Sequence, residues 1–147
     1  MDNMRNKDWE TFELNILFLT RYPVEGASSR YRVYQYLPYL KKNGIEYKVS
    51  SLMDKEMYKL STSSGNTFKK LCFTSVSILK RLTTLLSWKK YDVIYLQREL
   101  LPFGPPIIEK LLKNRGACLV FDYDDALFIQ KNSEYNKIAN FFRSANK

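Results

Sequence analysis

The chain has 147 residues, 45 % of them apolar and 15 % aromatic, which allows one packed domain and excludes a disordered chain. Lysine and arginine number 24 against 15 acidic residues, and the net charge of +9 favours anionic partners such as nucleic acid, phosphorylated small molecules or an anionic membrane surface. There is no histidine, which removes the commonest general base, the commonest zinc ligand and any triad built on one, leaving only a lysine to serve as base for a nucleophile.

Residues 1–14 are polar, lack the apolar core of a secretory signal, and read as a flexible leader. NILFLT, residues 15–20, is a short and nearly continuous apolar run, the pattern of a strand covered on both faces. After it the chain turns through Arg21, Pro23, Gly26, Ala27 and Ser28. A helix is expected from about Ser29, whose hydroxyl can cap free N–H groups, with Val33, Leu37 and Leu40 as its buried stripe. Pro38 predicts a kink inside that helix, and Gly44 a left-handed cap at its end. Residues 46–52 alternate like an edge strand, and residues 54–66 read as a polar loop.

Residues 67–88 form a long amphipathic pattern. Phe68, Leu71, Cys72, Val76, Leu79, Leu82 and Leu86 mark one face, expected to pack on the sheet. Lys69, Lys70, Lys80 and Arg81 supply cations around it. VIYLQ, residues 93–97, is a third strand. The loop RELLPFGPP leads to a helix starting at Ile107 and ending at Arg115 and Gly116. CLVFD, residues 118–122, is a fourth strand, followed by Tyr123, Asp124 and Asp125. Residues 15–130 thus read as the domain and 131–147 as a polar, weakly helical tail. No run approaches the about 18 apolar residues of a membrane span. Cys72 and Cys118 fall in apparent core segments and read as buried free thiols of a reducing compartment.

The alternation predicts an α/β fold: a three-layer sandwich with a mostly parallel sheet of about four strands. Ligands gather at the carboxyl ends of such strands. After the first strand come Gly26, Ala27, Ser28 and Ser29, small enough to admit a ligand to the backbone, with Arg30 and Arg32 as donors suited to phosphate or carboxylate. The same pattern also fits a tight strand-to-helix turn with solvated arginines. The loop matches neither a G-x-G-x-x-G nor a Walker A motif. Gln97, Arg98 and Glu99 end the third strand. Asp122, Asp124 and Asp125 follow the fourth and could bind sugar hydroxyls, hold a cation or cap a helix. Adjacent carboxylates on an extended chain point to opposite sides, so no metal set is expected from them alone.

The long basic helix carries two readings. It is an ordinary sheet-packing helix with lysines in water, or an interfacial helix whose cationic edge (Lys69, Lys70, Lys80, Arg81) meets anionic lipid. The basic residues are scattered and no RNP-like or zinc-knuckle motif occurs, so no nucleic-acid partner is expected.

Taken together, the blocks ILFLTRYPVEGASSRYRVYQYLPYLKKNGIEYKV, YDVIYLQRELLPFGPPIIEKLL and LVFDYDDALF resemble the N-terminal domain of GT-B glycosyltransferases of the group-1, family-4 type. The resemblance implies a Rossmann-like domain that receives the acceptor across a cleft from a second domain. The family moves a sugar from a nucleotide-sugar donor, without a required metal or other cofactor, to an acceptor such as a glycan or a lipid-linked carrier. By that resemblance Gly26, Ala27, Ser28 and Ser29 lie beside the donor phosphates, with Arg30 or Arg32 steering anionic groups. Arg98, Glu99, Asp122, Asp124 and Asp125 line the acceptor side. The family's C-terminal E-x7-E segment does not occur in this sequence, so the resemblance implies the acceptor-side part of an enzyme, inactive alone, cut short before its next strand or one half of a split transferase. It also implies a cytoplasmic protein of surface polysaccharide assembly, peripheral at the inner face of the plasma membrane. A non-catalytic membrane-surface or partner-binding module is the alternative.

Overall fold

The computed structural model describes residues 14–62, 67–101 and 106–123. Asp124, Asp125 and the tail at 131–147 lie outside the described residues, as does most of the leader.

Four strands form one sheet: β1 (Asn15–Thr20), β2 (Glu46–Ser51), β3 (Val93–Gln97) and β4 (Leu119–Asp122). The order is β2-β1-β3-β4 and every pairing is parallel. β1 gives the buried run its reason. Its Leu17 and Leu19 point into one layer, where Ile94, Leu96, Leu100 and Leu112 complete a core. Phe18 points into the other, against the rings of Tyr47 and Tyr95. A strand sandwiched in this way has no solvent face, which is why its sequence does not alternate. The chain is therefore an α/β, Rossmann-like three-layer fold, as the alternation of elements predicts.

The first crossover differs in detail from the sequence expectation. α1 (Ala27–Arg32) is capped by Gly26, not Ser29, and ends at Val33. A 3₁₀ turn at Tyr34–Tyr36 follows, then α2 (Leu37–Lys42). Pro38 sits in the first turn of α2, where its missing N–H costs nothing, so it starts a helix and does not kink one. Gly44 has φ 73 and closes α2 as predicted, with Ile45 N–H donating to the Leu40 carbonyl at 3.1 Å.

The polar stretch after β2 is not all loop. α3 (Lys55–Thr62) is capped by Asp54, whose Oδ1 accepts from Met57 N–H at 2.7 Å, and Met57 is the buried anchor that fixes the turn.

The largest correction concerns α4 (Thr67–Leu86). The stripe expected to pack on the sheet faces outward: Phe68 is 78 % exposed, Leu79 63 % and Leu86 85 %. The face turned inward carries Arg81, 1 % exposed, and Leu85. Arg81 is thus not one of the solvent-facing cations, unlike Lys69 and Lys80, which are exposed, and Lys70, which is half-buried. Its guanidinium decides the helix's rotation by donating to the carbonyls of Thr20 at 2.5 Å, Ser50 at 3.0 Å and Leu100 at 3.2 Å. Cys72 and Cys118 are both free, as expected, but both are exposed. Cys72 turns out with the stripe, and Cys118 precedes the edge strand β4. α5 (Ile107–Asn114) completes the same layer through Leu112.

Candidate functional site at the strand ends

In this strand order the chain leaves β1 for one edge and returns past it to β3. The crevice outside the carboxyl ends of β1 and β3 is therefore the place where an open α/β sheet receives a ligand. The polar residues after β1 and those ending β3 fall there, with Asp122 at the end of β4 beside them.

The hub is Gln97, the last residue of β3, 1 % exposed. Its Oε1 accepts from the Ser29 hydroxyl at 2.6 Å and from Arg21 N–H at 3.4 Å, and its Nε2 donates to Ser28 Oγ at 3.0 Å. Ser29 Oγ in turn accepts from Tyr22 N–H at 3.1 Å. One amide therefore ties the loop after β1 and the first turn of α1 to the end of β3. Beside it Arg21 Nη1 meets Glu99 Oε2 at 3.4 Å. Arg98 holds φ 68, a left-handed conformation that costs a branched or long side chain about 1 kcal/mol or more, and its N–H donates to the Asp122 carbonyl at 3.0 Å.

A second cluster spans α1, β3 and β4. Asp122 accepts from Arg32 Nη1 through Oδ1 and from the Tyr95 hydroxyl through Oδ2, each at 2.6 Å. Arg32 and Asp122 are about a quarter exposed, so the pair is partly shielded from water. Burial first, then the Asp122 carboxylate, push the Tyr95 phenol well above its ordinary value of 10.

That shift makes a pH prediction. A phenol that stays protonated in the fold but ionises in the unfolded chain stabilises the fold below about pH 10 and loses that contribution as pH rises further. Tyr95→Phe is expected to flatten the fall of stability above pH 10, and to remove one late step from the ultraviolet titration of the chain's 11 tyrosines. An unchanged number of late-titrating phenols would overturn the assignment.

The residues singled out from the sequence divide into two groups. Ser28 and Ser29 meet Gln97, and Arg32 meets Asp122, so the loop after β1 does converge with the ends of β3 and β4. Ala27 and Arg30 are exposed, and Arg30 lies over the Tyr31 ring at 5.3 Å. Gly26 is not an open approach for a ligand, because the space a Cβ would take is filled by the Cβ and ring of Tyr22. Ser29, fully buried, is spent on holding the loop. Gly26→Ala is expected to destabilise the fold by about 1–3 kcal/mol, since Tyr22 cannot yield without moving backbone; urea unfolding checks it.

Tyr95 and Arg81 carry weight that the sequence reading did not assign to them. The available signals were a polar hydroxyl on an otherwise apolar strand and an arginine in line with Leu85 on α4. Among the described residues no group of three or more acidic or cysteine side chains is placed to hold a metal ion. No described helix is long and apolar enough to cross a membrane.

Comparison of the chain with protein-family models, with curated proteins and with solved structures found no match.

Proposed function

We propose that this chain is the acceptor-side part of a sugar transferase that draws on a nucleotide-sugar donor and delivers to a glycan or lipid-linked acceptor. The observation that carries the reading is the Gln97 bridge. It draws Ser28 and the β1 loop against the end of β3, with the Arg32–Asp122 pair alongside, at the switch point of a parallel sheet. The resemblance of the three sequence blocks to GT-B N-terminal domains supports the same choice.

In this reading the exposed Arg30 meets a donor phosphate through its guanidinium, beside the half-buried Ser28, whose hydroxyl accepts from Gln97. Asp122 holds Arg32 in place, and Arg98 and Glu99 form the acceptor rim. The donor nucleotide is held by a second GT-B half, supplied in the same chain or by a partner.

The test is reconstitution. The chain is combined with a C-terminal GT-B half encoded beside it and supplied with a panel of labelled nucleotide-sugars and acceptor lipids. Transfer should appear only with both halves present. Arg30→Ala should lower it about tenfold or more, the effect of one charge-assisted hydrogen bond in the transition state. A folded, associated pair that transfers nothing from any donor would count against the proposal.

A further inference from the structure

We propose that the leader docks on its own domain: Trp9 enters the apolar recess between the last turn of α4 and α5, Phe12 covers the near edge of that recess at Trp88, and the acidic residues around the two rings pair with the cations on its rim. The occupant is residues 8–13 of the same chain, and the inference does not depend on the transferase reading.

The recess has a volume of about 280 Å³. Its lining joins the buried Leu85 and Leu112 and the half-buried Trp88 to Leu82, Leu86 and Leu111, which are exposed. Contiguous apolar side chains left in water in this way mark a contact surface, and an aromatic ring is the side chain that covers most of it. All four strands run parallel, so their amino ends share one edge of the sheet. The leader joins the sheet at that edge. Asn15 N–H donates to Asp92 Oδ2 at 2.8 Å, and Asp92 N–H donates to the Asn15 carbonyl at 2.9 Å. Trp88, in the 3₁₀ turn Trp88–Lys90, precedes Asp92 by four residues, which span at most about 14 Å. Trp9 precedes Asn15 by six residues, a reach of about 20 Å. The length of chain ahead of β1 therefore suffices to bring Trp9 to the recess.

Charge selects the leader. Residues 1–13 carry four acidic and two basic side chains, a net charge of −2, and three of the acids, Asp8, Glu10 and Glu13, flank the two rings. Arg115 lines the recess, and Lys89 and Lys90 are exposed next to Trp88. The acids on the flanking elements, Asp92 and Glu109, accept from the N–H groups of Asn15 and Leu100. A second copy of this surface would set its cations against their equivalents, a juxtaposition that suppresses pairing. Residues 124–147 carry four basic and three acidic side chains, and they follow β4 at the carboxyl end of the sheet, away from the recess. A second recess, of about 290 Å³, lies toward the start of α4 and the carboxyl ends of the strands. Asp54 is in its lining and would repel the acids of the leader, so it offers residues 8–13 no match.

Tryptophan fluorescence of the 147-residue chain tests the docking, because Trp9 and Trp88 are its two tryptophans. In Trp88→Phe the emission of Trp9 should lie to the blue of free tryptophan, and acrylamide should quench it severalfold more slowly, at every protein concentration. Adding Leu86→Asp and Leu111→Asp should return Trp9 to the emission and quenching of free tryptophan. Both leucines are exposed, so the fold, checked by circular dichroism, should persist. Added salt should weaken the shielding. The converse measurement leaves the domain unaltered: Trp9→Ser with Phe12→Ser changes only the leader and should make Trp88 severalfold more accessible to acrylamide. Each of the following would overturn the proposal: a Trp9 that behaves as free tryptophan in the folded chain, shielding that the two aspartates leave in place, or a Trp88 indifferent to the two serines. Shielding lost on dilution would assign the recess to a second copy, and shielding that appears only with anionic vesicles would assign it to a bilayer; either result also overturns it.

Discussion

Arg81→Met is expected to cost about 2–4 kcal/mol of folding stability, although methionine fills a comparable volume and the position lies on a surface helix. The guanidinium bonds three carbonyls at or just beyond the strand ends: Thr20 at the end of β1, Ser50 in β2 and Leu100 after β3. Hydrogen bonds from a charged donor contribute about 1.5–3 kcal/mol each, and relief of the buried charge offsets part of their loss. That offset is real here. Burial, and secondarily the charge of Arg21, pull the Arg81 pKa down to about 10, and its Nε is buried without a hydrogen-bond partner among the described residues. The sign follows from proton uptake. Between pH 10 and 12.5 the unfolded chain binds more protons than the fold, so this group's contribution rises with pH there and is level near neutrality. Urea unfolding at pH 7 should therefore show a lower midpoint with an unchanged slope. Arg81→Lys should recover only part of the loss, because a single ammonium cannot span three separated carbonyls. A methionine variant within about 0.5 kcal/mol of the wild type would show that the clamp contributes nothing.

The same residue explains where sequence reading succeeded and where it failed. Strand and helix order could be read because β1 and β3 are short, nearly continuous apolar runs, which a sheet covered on both sides accommodates, while the edge strand β2 alternates. Gly44 could be read because a left-handed cap leaves glycine little competition. The rotation of α4 could not. Its periodicity marks an apolar stripe but does not say whether that stripe meets protein or something else. The answer lay in one arginine with three carbonyl acceptors from distant parts of the chain, pairings that no local pattern encodes. α3 escaped for a different reason, since eight mostly polar residues pinned by Asp54 and Met57 look like a loop until α4 is in place beside Met57, whose sulfur accepts from the Ser77 hydroxyl at 3.5 Å.

At the site, residue types were legible and their partners were not. Ser29 was read as a cap and Gly26 as a gap for a ligand, yet Ser29 is turned to Gln97 and the gap at Gly26 is occupied by Tyr22. The first role depends on a contact across the sheet, the second on a side chain four residues earlier in the same loop. Arg32 is expected to steer anionic groups and Asp122 to line the acceptor side, and nothing local says that these two, 90 residues apart in sequence, pair at 2.6 Å. The strand ends do converge, as the three polar clusters suggested, but the convergence is held by internal bonds that also leave fewer free groups for a ligand.

Gln97 is where that convergence is most exposed to test. Gln97→Leu, nearly the same in volume, is expected to lose about 2–4 kcal/mol, because a fully buried Ser29 hydroxyl and the Arg21 N–H lose their acceptor where water has little access. Ser29→Ala removes a donor to Gln97 and an acceptor for Tyr22 N–H and should cost about 1–3 kcal/mol. Ser28→Ala should cost less than either, since that hydroxyl is half-buried and water can take its place beside the Gln97 amide. The pair Ser29→Ala and Gln97→Leu should be strongly non-additive, the double variant losing about 1 kcal/mol less than the sum of the two, as expected of groups whose partner has already gone. Additive losses would mean that the two side chains hold the fold separately. The 2.6 Å hydrogen bond between Ser29 and Gln97 would then contribute nothing of its own to holding the β1 loop against the end of β3.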